Sequence, residues 1–418
     1  MSLREQHPDL LKEVDIDAEE RWMTPLVNKV AMGHRPQGVM DKCIIRDDTL
    51  RSGINTPGVY ANNDIKMLLA EKLEAMGVIE AEVGYPTIPE HIEFVKMLRR
   101  AGSKMELGLH TRYYDPDYRT EIQKTIDSGA DLVNLVGYWG YIMTNALCPQ
   151  NWNGDIEARI GDAVSHAKRS GARKIAVGTD YHRLDLVARV VQAARDAGAD
   201  RIVVYDVRGW FVPETMAFLV RYVRALAGPD MEIGVHCHDD YGLATINSIE
   251  AIRAGALTCD VTINSTGHRC GNAAFEQVVP LLESLYDIRT GLDMTQLTPL
   301  TEMVAELYKF PIARNHPVTG PHMYSYGGSH LGGILRGQWY FWENIRAETV
   351  GNHRSVSFGS TSLRRGKTAP VSVKIQSMGL DPDSANIEHV FEKLEKLIYE
   401  KVEISEQEVE SVIREIYV

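Results

Sequence analysis

The stretch "RLDLVARVVQAARDAGADRIVVYDVRG", Arg183 to Gly209, holds a complete repeating unit of this chain. Its first half places Leu186, Val187, Val190, Val191 and Ala194 at helical spacing and ends on Ala197-Gly198. Glycine just past a helix adopts the left-handed conformation that lets the chain turn back. The second half, "RIVVYDVRG", is a short β-rich run closing on polar residues. Outward in both directions the theme recurs. β-rich runs stand at Lys42–Asp48, Ala81–Pro86, Lys104–Arg112 and Leu132–Tyr138, then at Lys174–Tyr181, Arg201–Gly209, Glu232–Asp240 and Cys259–Gly267. Helical stretches lie between them. Gly102, Gly129, Gly171, Gly198 and Gly255 each follow Ala or Ser shortly before the next run. Eight alternating units predict an α/β fold, a parallel (β/α)8 TIM barrel. The rival is an open doubly wound sheet, which the first βα turn does not support, having no GxGxxG.

In such a barrel, chemistry gathers at the carboxyl ends of the strands. Those ends carry Asp47, Asp48, Glu82, His110, Asp180, Asp206, His236, His238 and Asn264. His236 and His238 sit two apart in "EIGVHCHDDYGLA", so an extended chain would turn both rings to one face, where they could hold one ion. An isolated pair of this kind is equally compatible with a polar strand end. Convergence on one rim favours the catalytic reading.

The boundaries read as an N-terminal extension (1–40), a catalytic barrel (41–290), a linker and lid segment (291–360) and a small C-terminal helical subdomain (361–418). The loop from Asn315 to Gly337 is long and glycine-rich, as functional lids often are. The end of the chain reads as two helices separated at "VEIS". With 418 residues, 44% hydrophobic and 24% charged, the composition is that of an enzyme with a large core. A formal net charge of −12 argues against nucleic acid and against an anionic membrane surface. The five scattered cysteines suggest reduced thiols. With no signal-peptide pattern and no apolar run of membrane length, a cytoplasmic location is expected.

These motifs resemble the DRE-TIM metallolyases: 2-isopropylmalate, homocitrate and citramalate synthases and, more distantly, 3-hydroxy-3-methylglutaryl-CoA lyase. "HCHDDYGLATINSIEAIRAGA" is close to the HxHND segment and its following helix, and "GHRCGNAAFEQVVPLL" to GxGERAGNAxLEEVV. "LRSGINTPG" lines up with LRDGEQSPG, "AEVGYP" with IEAGFP, and "YGGSHLGG" with the HESGIHxDG loop. The resemblance implies a synthase joining acetyl-CoA, or a close thioester, to a 2-oxo acid to give a 2-hydroxy acid. A lyase or aldolase cleaving the same kind of bond, or a metal-free non-catalytic barrel, are the alternatives. It implies a divalent metal ion (Mg, Mn or Zn), acetyl-CoA as co-substrate, small-molecule substrates and a homodimer. Carried onto this chain, the metal residues are His236, His238 and Asn272, with Asp48 as an extra carboxylate. Arg51, Glu82 and His330 take catalytic places, and His110, Ser52 and Arg208 substrate-binding ones.

Several positions depart from the family pattern. Ser52 stands where LRDG has its metal-binding Asp, and regular strand geometry would hold Asp48 roughly 13 Å from position 52. In "DVRG", Val207 replaces a Thr and Arg208 arrives beside it; His268 replaces the Glu of GER. Gly332 replaces the loop Asp, and Trp342 stands at a Tyr position with Tyr340 close by. Acidic groups are lost and neutral or cationic ones gained. That is expected of a drifting paralogue, and equally of an enzyme for a 2-oxo acid more negatively charged than pyruvate.

Overall fold

The structure, a computed structural model, describes residues 14–17, 19–32, 41–137, 156–180, 183–327, 330, 334, 337–359, 368–401 and 404–417. Cys148 and Gly332 lie outside them. Two compact units are present, one of residues 1–10 and 27–312, the other of residues 11–26 and 313–418.

The first unit is a closed barrel of eight parallel strands in sequence order: β1 (Ile44–Asp47), β2 (Glu80–Gly84), β3 (Glu106–Arg112), β4 (Leu132–Gly137), β5 (Lys174–Asp180), β6 (Arg201–Asp206), β7 (Glu232–Cys237) and β8 (Thr258–Val261). Each falls within one of the eight runs expected from sequence, to within a residue. The helices that follow are α1 (Asn63–Met76), α2 (Pro89–Arg100), α3 (Tyr118–Asp127), α4 (Ile156–Arg169), α5 (Leu184–Ala197), α6 (Pro213–Ala227), α7 (Ala244–Arg253) and α8 (Phe275–Leu285). In α5 the five apolar residues at helical spacing are the buried ones. All five glycines read as helix stops have positive φ, between 80° and 109°.

The floor of the barrel is ionic. Arg46 and Arg201 are each only 1% exposed. Arg46 Nε lies 3.0 Å from Glu80, and Arg201 holds Glu80 and, at 2.8 Å, Glu232. Buried guanidinium groups of this kind persist only with their carboxylates paired.

Helix α9 (Leu297–Tyr308) was expected to belong to a linker, but it is part of the barrel unit. Its Thr301 carbonyl accepts from Asn264 Nδ2 at 2.8 Å, and Tyr308 Oη donates to the Thr49 carbonyl at 3.3 Å. Asn264 therefore faces α9 instead of the rim.

In the second unit, Val14–Ile16 pairs antiparallel with Met23–Pro25, so part of the supposed N-terminal extension packs here. Three helices, α10 (Ala369–Ser377), α11 (Ser384–Glu400) and α12 (Glu406–Tyr417), enclose Val371, Ile375, Val390, Leu394, Val409 and Ile413. The last two are the pair expected around "VEIS". Buried Glu343 is held by Arg354 at 2.6 and 2.7 Å and by Tyr326 Oη at 3.0 Å. No described helix is long and apolar enough to cross a membrane.

Candidate active site

β1 ends at Asp47, and the chain then tightens into a turn. Asp47 starts it by accepting from Thr49 N at 3.1 Å and Thr49 Oγ1 at 2.7 Å. The Asp48 carbonyl then accepts from Ser52 N at 2.8 Å and Gly53 N at 3.0 Å. The turn overturns the extended-chain spacing. Asp48 and Ser52 are neighbours, with Ser52 N 3.3 Å from Asp48 Oδ1.

Arg51 is the centre of the site. Its guanidinium lies 3.0 Å from Asp48 Oδ2, and its Nε donates to Glu82 Oε2 at 2.9 Å with a second, shorter contact from Nη2. Glu82, midway along β2, also accepts from Asn134 Nδ2 at 2.7 Å and lies 3.4 Å from Arg46. Burial opposes its charge, yet Arg51 and Arg46 hold the Glu82 carboxyl well below the usual carboxylate range. Burial pushes Asp48 the other way, well up, against the pull of Arg51. His110 ends up neutral: burial, with Arg51 nearby, lowers it to about 4. Its Nδ1 is buried without a hydrogen bond, 3.5 Å from Glu82.

The two imidazoles have different duties. His236 Nδ1 faces carboxylates, 3.1 Å from Asp260 and 3.4 Å from Asp48, while its Nε2 lies 3.1 Å from Asn272 Nδ2. His238 Nδ1 lies 3.2 Å from the Gly271 carbonyl, its ring 5.2 Å from that of His236. Ser52 Oγ donates to Asn272 Oδ1 at 2.8 Å. A continuous chain, Ser52–Asn272–His236, therefore closes this side of the rim.

Asp48, His236 and Asp260 each offer a ligand atom within 4.8 Å of the others, and all three are buried. Asp48 Oδ2 is fully buried, its neighbours being the Arg51 guanidinium at 3.0 Å and His236 Nδ1 at 3.4 Å. Two carboxylates and an imidazole suit a divalent cation, so this donor set fits one. Of the four metal residues expected from sequence, Asp48 and His236 belong to the group, Asn272 touches His236, and His238 stands beside it. Asp260 was missed. Register pairs it directly with His236 on one side and Arg46 on the other, and Arg46 Nη1 donates to it at 3.0 Å. A lone Asp inside the apolar run of β8, level with His236, was the available signal.

Other expected residues lie further out. The guanidinium of Arg208 lies 4.9 Å from the ring centroid of Trp210, on the loop after β6. Asp206 turns into its own loop, accepting from Trp210 N and Phe211 N. His330, in the second unit, is exposed and packs on Trp342 with ring centroids 3.8 Å apart.

The HMGL-like family model matches residues 42–304, the barrel and most of α9. A probable 2-isopropylmalate synthase of Ignicoccus hospitalis is 29% identical over 395 residues, covering 94% of this chain and 96% of the relative. A putative (R)-citramalate synthase of Methanopyrus kandleri is 30% identical over 380 residues, covering 90% and 73%. Among solved structures, an HMG-CoA lyase of Bacillus subtilis shares the fold with a TM-score of 0.58 at 17% identity, covering 67% of this chain and 98% of its own. The barrel, its polar rim and these matches lead to one statement of kinship: the chain belongs to the HMGL-like family, within the DRE-TIM metallolyases.

Proposed function

We propose that the chain is an acyl-transferring synthase that condenses acetyl-CoA, or a close thioester, with a 2-oxo acid. The bond forms between the thioester α-carbon, which loses a proton, and the keto carbon, whose oxygen takes one up. Water then cleaves the thioester, releasing CoA as the thiol and leaving a 2-hydroxy diacid. The observation that carries this reading is Arg51, buried and fixed between Asp48 and Glu82 beside His110 and His236. A positive charge preorganised in a dry site stabilises an oxygen on which negative charge grows. Similarity to synthases over more than nine-tenths of the chain supports the synthesis direction over cleavage.

A divalent ion held by Asp48, His236 and Asp260 would supply Lewis-acid polarisation of the keto group. Glu82 keeps Arg51 oriented, with neutral His110 packed against it by its Nδ1 side. His330 serves proton transfer at the thioester methyl, in a homodimer whose partner completes the site. His330→Ala should then lower kcat on the order of 10²–10⁴-fold with modest change in KM; an unchanged kcat removes it from the chemistry.

The test is thiol release from acetyl-CoA across a panel of 2-oxo acids, with chelated protein and with Mg²⁺, Mn²⁺ or Zn²⁺ restored. Release that depends on both acid and metal supports the proposal. Cleavage of 2-hydroxyacyl thioesters without any condensation would make the protein a lyase instead.

A further inference from the structure

The loop after β6, residues 207–212, is fixed from three sides. The buried Asp206 carboxylate accepts from Trp210 N at 3.1 Å and Phe211 N at 3.0 Å. Asn247 Nδ2 donates to the Phe211 carbonyl at 2.7 Å, and Arg269 Nη2 to the Val207 carbonyl at 2.8 Å. Gly209 (φ +60°) presses so closely on the next loop that a Cβ there would lie 2.7 Å from His238 O and Asp240 N. His238 N in turn donates to the Asp206 carbonyl at 3.1 Å, so the loop abuts the imidazole pair.

This loop and the neighbouring one that carries His238 both expose large aromatic side chains. Trp210 is 45% exposed, and Tyr241, three residues past His238, is 76% exposed. The Arg208 guanidinium lies against Trp210. Among the described residues it makes no hydrogen bond and no ion pair, although the chain has 57 acidic residues to 45 basic ones. A cation–π contact at an exposed site is weak and leaves the guanidinium's donors available to a ligand. An aromatic face beside an uncommitted guanidinium suits a ligand with a planar base and a phosphate: bases stack on such faces, and guanidinium groups pair well with phosphate oxygens.

We propose that Trp210 and Arg208 form a binding site for the nucleotide end of the acyl thioester, Trp210 stacking the adenine and Arg208 pairing with a phosphate. The assignment rests on the thioester reading above. It places the nucleotide outside the barrel mouth, next to the rim where the acyl group reacts.

The direct probe is adenosine 3′,5′-bisphosphate, titrated into the full-length protein by calorimetry. Wild type should bind it, and Trp210→Ala and Arg208→Gln should each weaken binding tenfold or more. In turnover, the kcat/KM preference for acetyl-CoA over acetyl-pantetheine, which lacks the nucleotide, should fall by a similar factor in both variants. Equal bisphosphate affinity in all three proteins overturns the proposal. So does a Trp210→Ala change in sedimentation with affinity intact, since the patch would then be a contact between copies. If no thioester reacts at all, the synthase reading fails by itself, and the calorimetry still decides whether a nucleotide site exists. If condensation proceeds and the preference is unmoved, only the nucleotide site fails.

Discussion

Ser52 commits its hydroxyl to Asn272, and Asn272 commits its amide to His236. The charge for a cation comes instead from Asp48 and Asp260, each already shared with an arginine. Metal affinity in the free protein should therefore be weak and should rise at least tenfold when a 2-oxo acid is present, because the acid brings its own carboxylate. Ser52→Asp adds a third carboxylate within the same turn; it should tighten metal in the free protein and reduce the dependence on substrate. Calorimetric titration of both proteins, with and without the acid, checks this; equal affinities throughout would leave Ser52 without influence on the ion. Arg51 makes a sharper prediction. Arg51→Ala leaves Asp48 and Glu82 buried without their shared counter-charge, and removing one partner of a buried pair costs about 3–5 kcal/mol. A large fall in unfolding free energy should accompany loss of turnover, whereas Arg51→Lys keeps a charge but loses the two-pronged grip on Glu82. Lysine should recover part of the stability and little of the rate.

At the scale of elements, the β7–α7 and β8–α8 loops are held together at one glycine. Gly271 has φ +87°, its carbonyl faces His238 Nδ1 and accepts from Asp239 N at 3.0 Å, and a Cβ there would overlap the Ser265 carbonyl oxygen. Gly271→Ala should displace His238 and Asn272 together and cost more than the ~1 kcal/mol of an ordinary glycine substitution. Urea unfolding with a metal titration would show it; a variant with wild-type stability and affinity would mean the loop can shift freely. This coupling was not legible in the sequence, where "GHRCGN" is only a motif. The strands and helices were, because alternation of apolar patterns with glycine stops is a local property that eight units repeat. The rim was legible in part. His110 and the histidine pair stand near or just past the ends of their strands, and Glu82 stands midway along a five-residue strand, so polar residues in the carboxyl halves of apolar runs mark them. Asp260 and Asn134 sit inside apolar runs, and only the register of neighbouring strands shows that they meet His236 and Glu82. The nearness of Asp48 to Ser52 depends on a turn that extended geometry cannot anticipate.

Over the whole molecule, the barrel buries ionisable groups of opposite tendency, and pH separates them. Burial lowers His110, and likewise His91, to about 4. As pH falls below the ordinary histidine value of about 6.5, the unfolded chain takes up these protons and the folded chain does not. Stability is therefore lost as pH drops from 6.5 toward 4, by up to about 1.4 kcal/mol per pH unit for each group. Asp47 works the other way, since burial raises it to about 7. Between about 4 and 7 the folded chain holds a proton there that the unfolded chain has released, so this contribution weakens as pH rises. Single variants isolate the two signs. His110→Gln should gain on wild type as pH falls from 6.5 to 4, and Asp47→Asn should gain on wild type as pH rises from 4 to 7. Urea unfolding at several pH values gives both differences, and subtracting wild type cancels whatever the second compact unit contributes. Profiles parallel to wild type would mean that neither group changes its proton affinity on folding. Opposite slopes would show that burial in the barrel keeps an imidazole neutral, with Arg51 adding to the effect, and keeps a carboxyl protonated although the hydrogen bonds from Thr49 pull the other way.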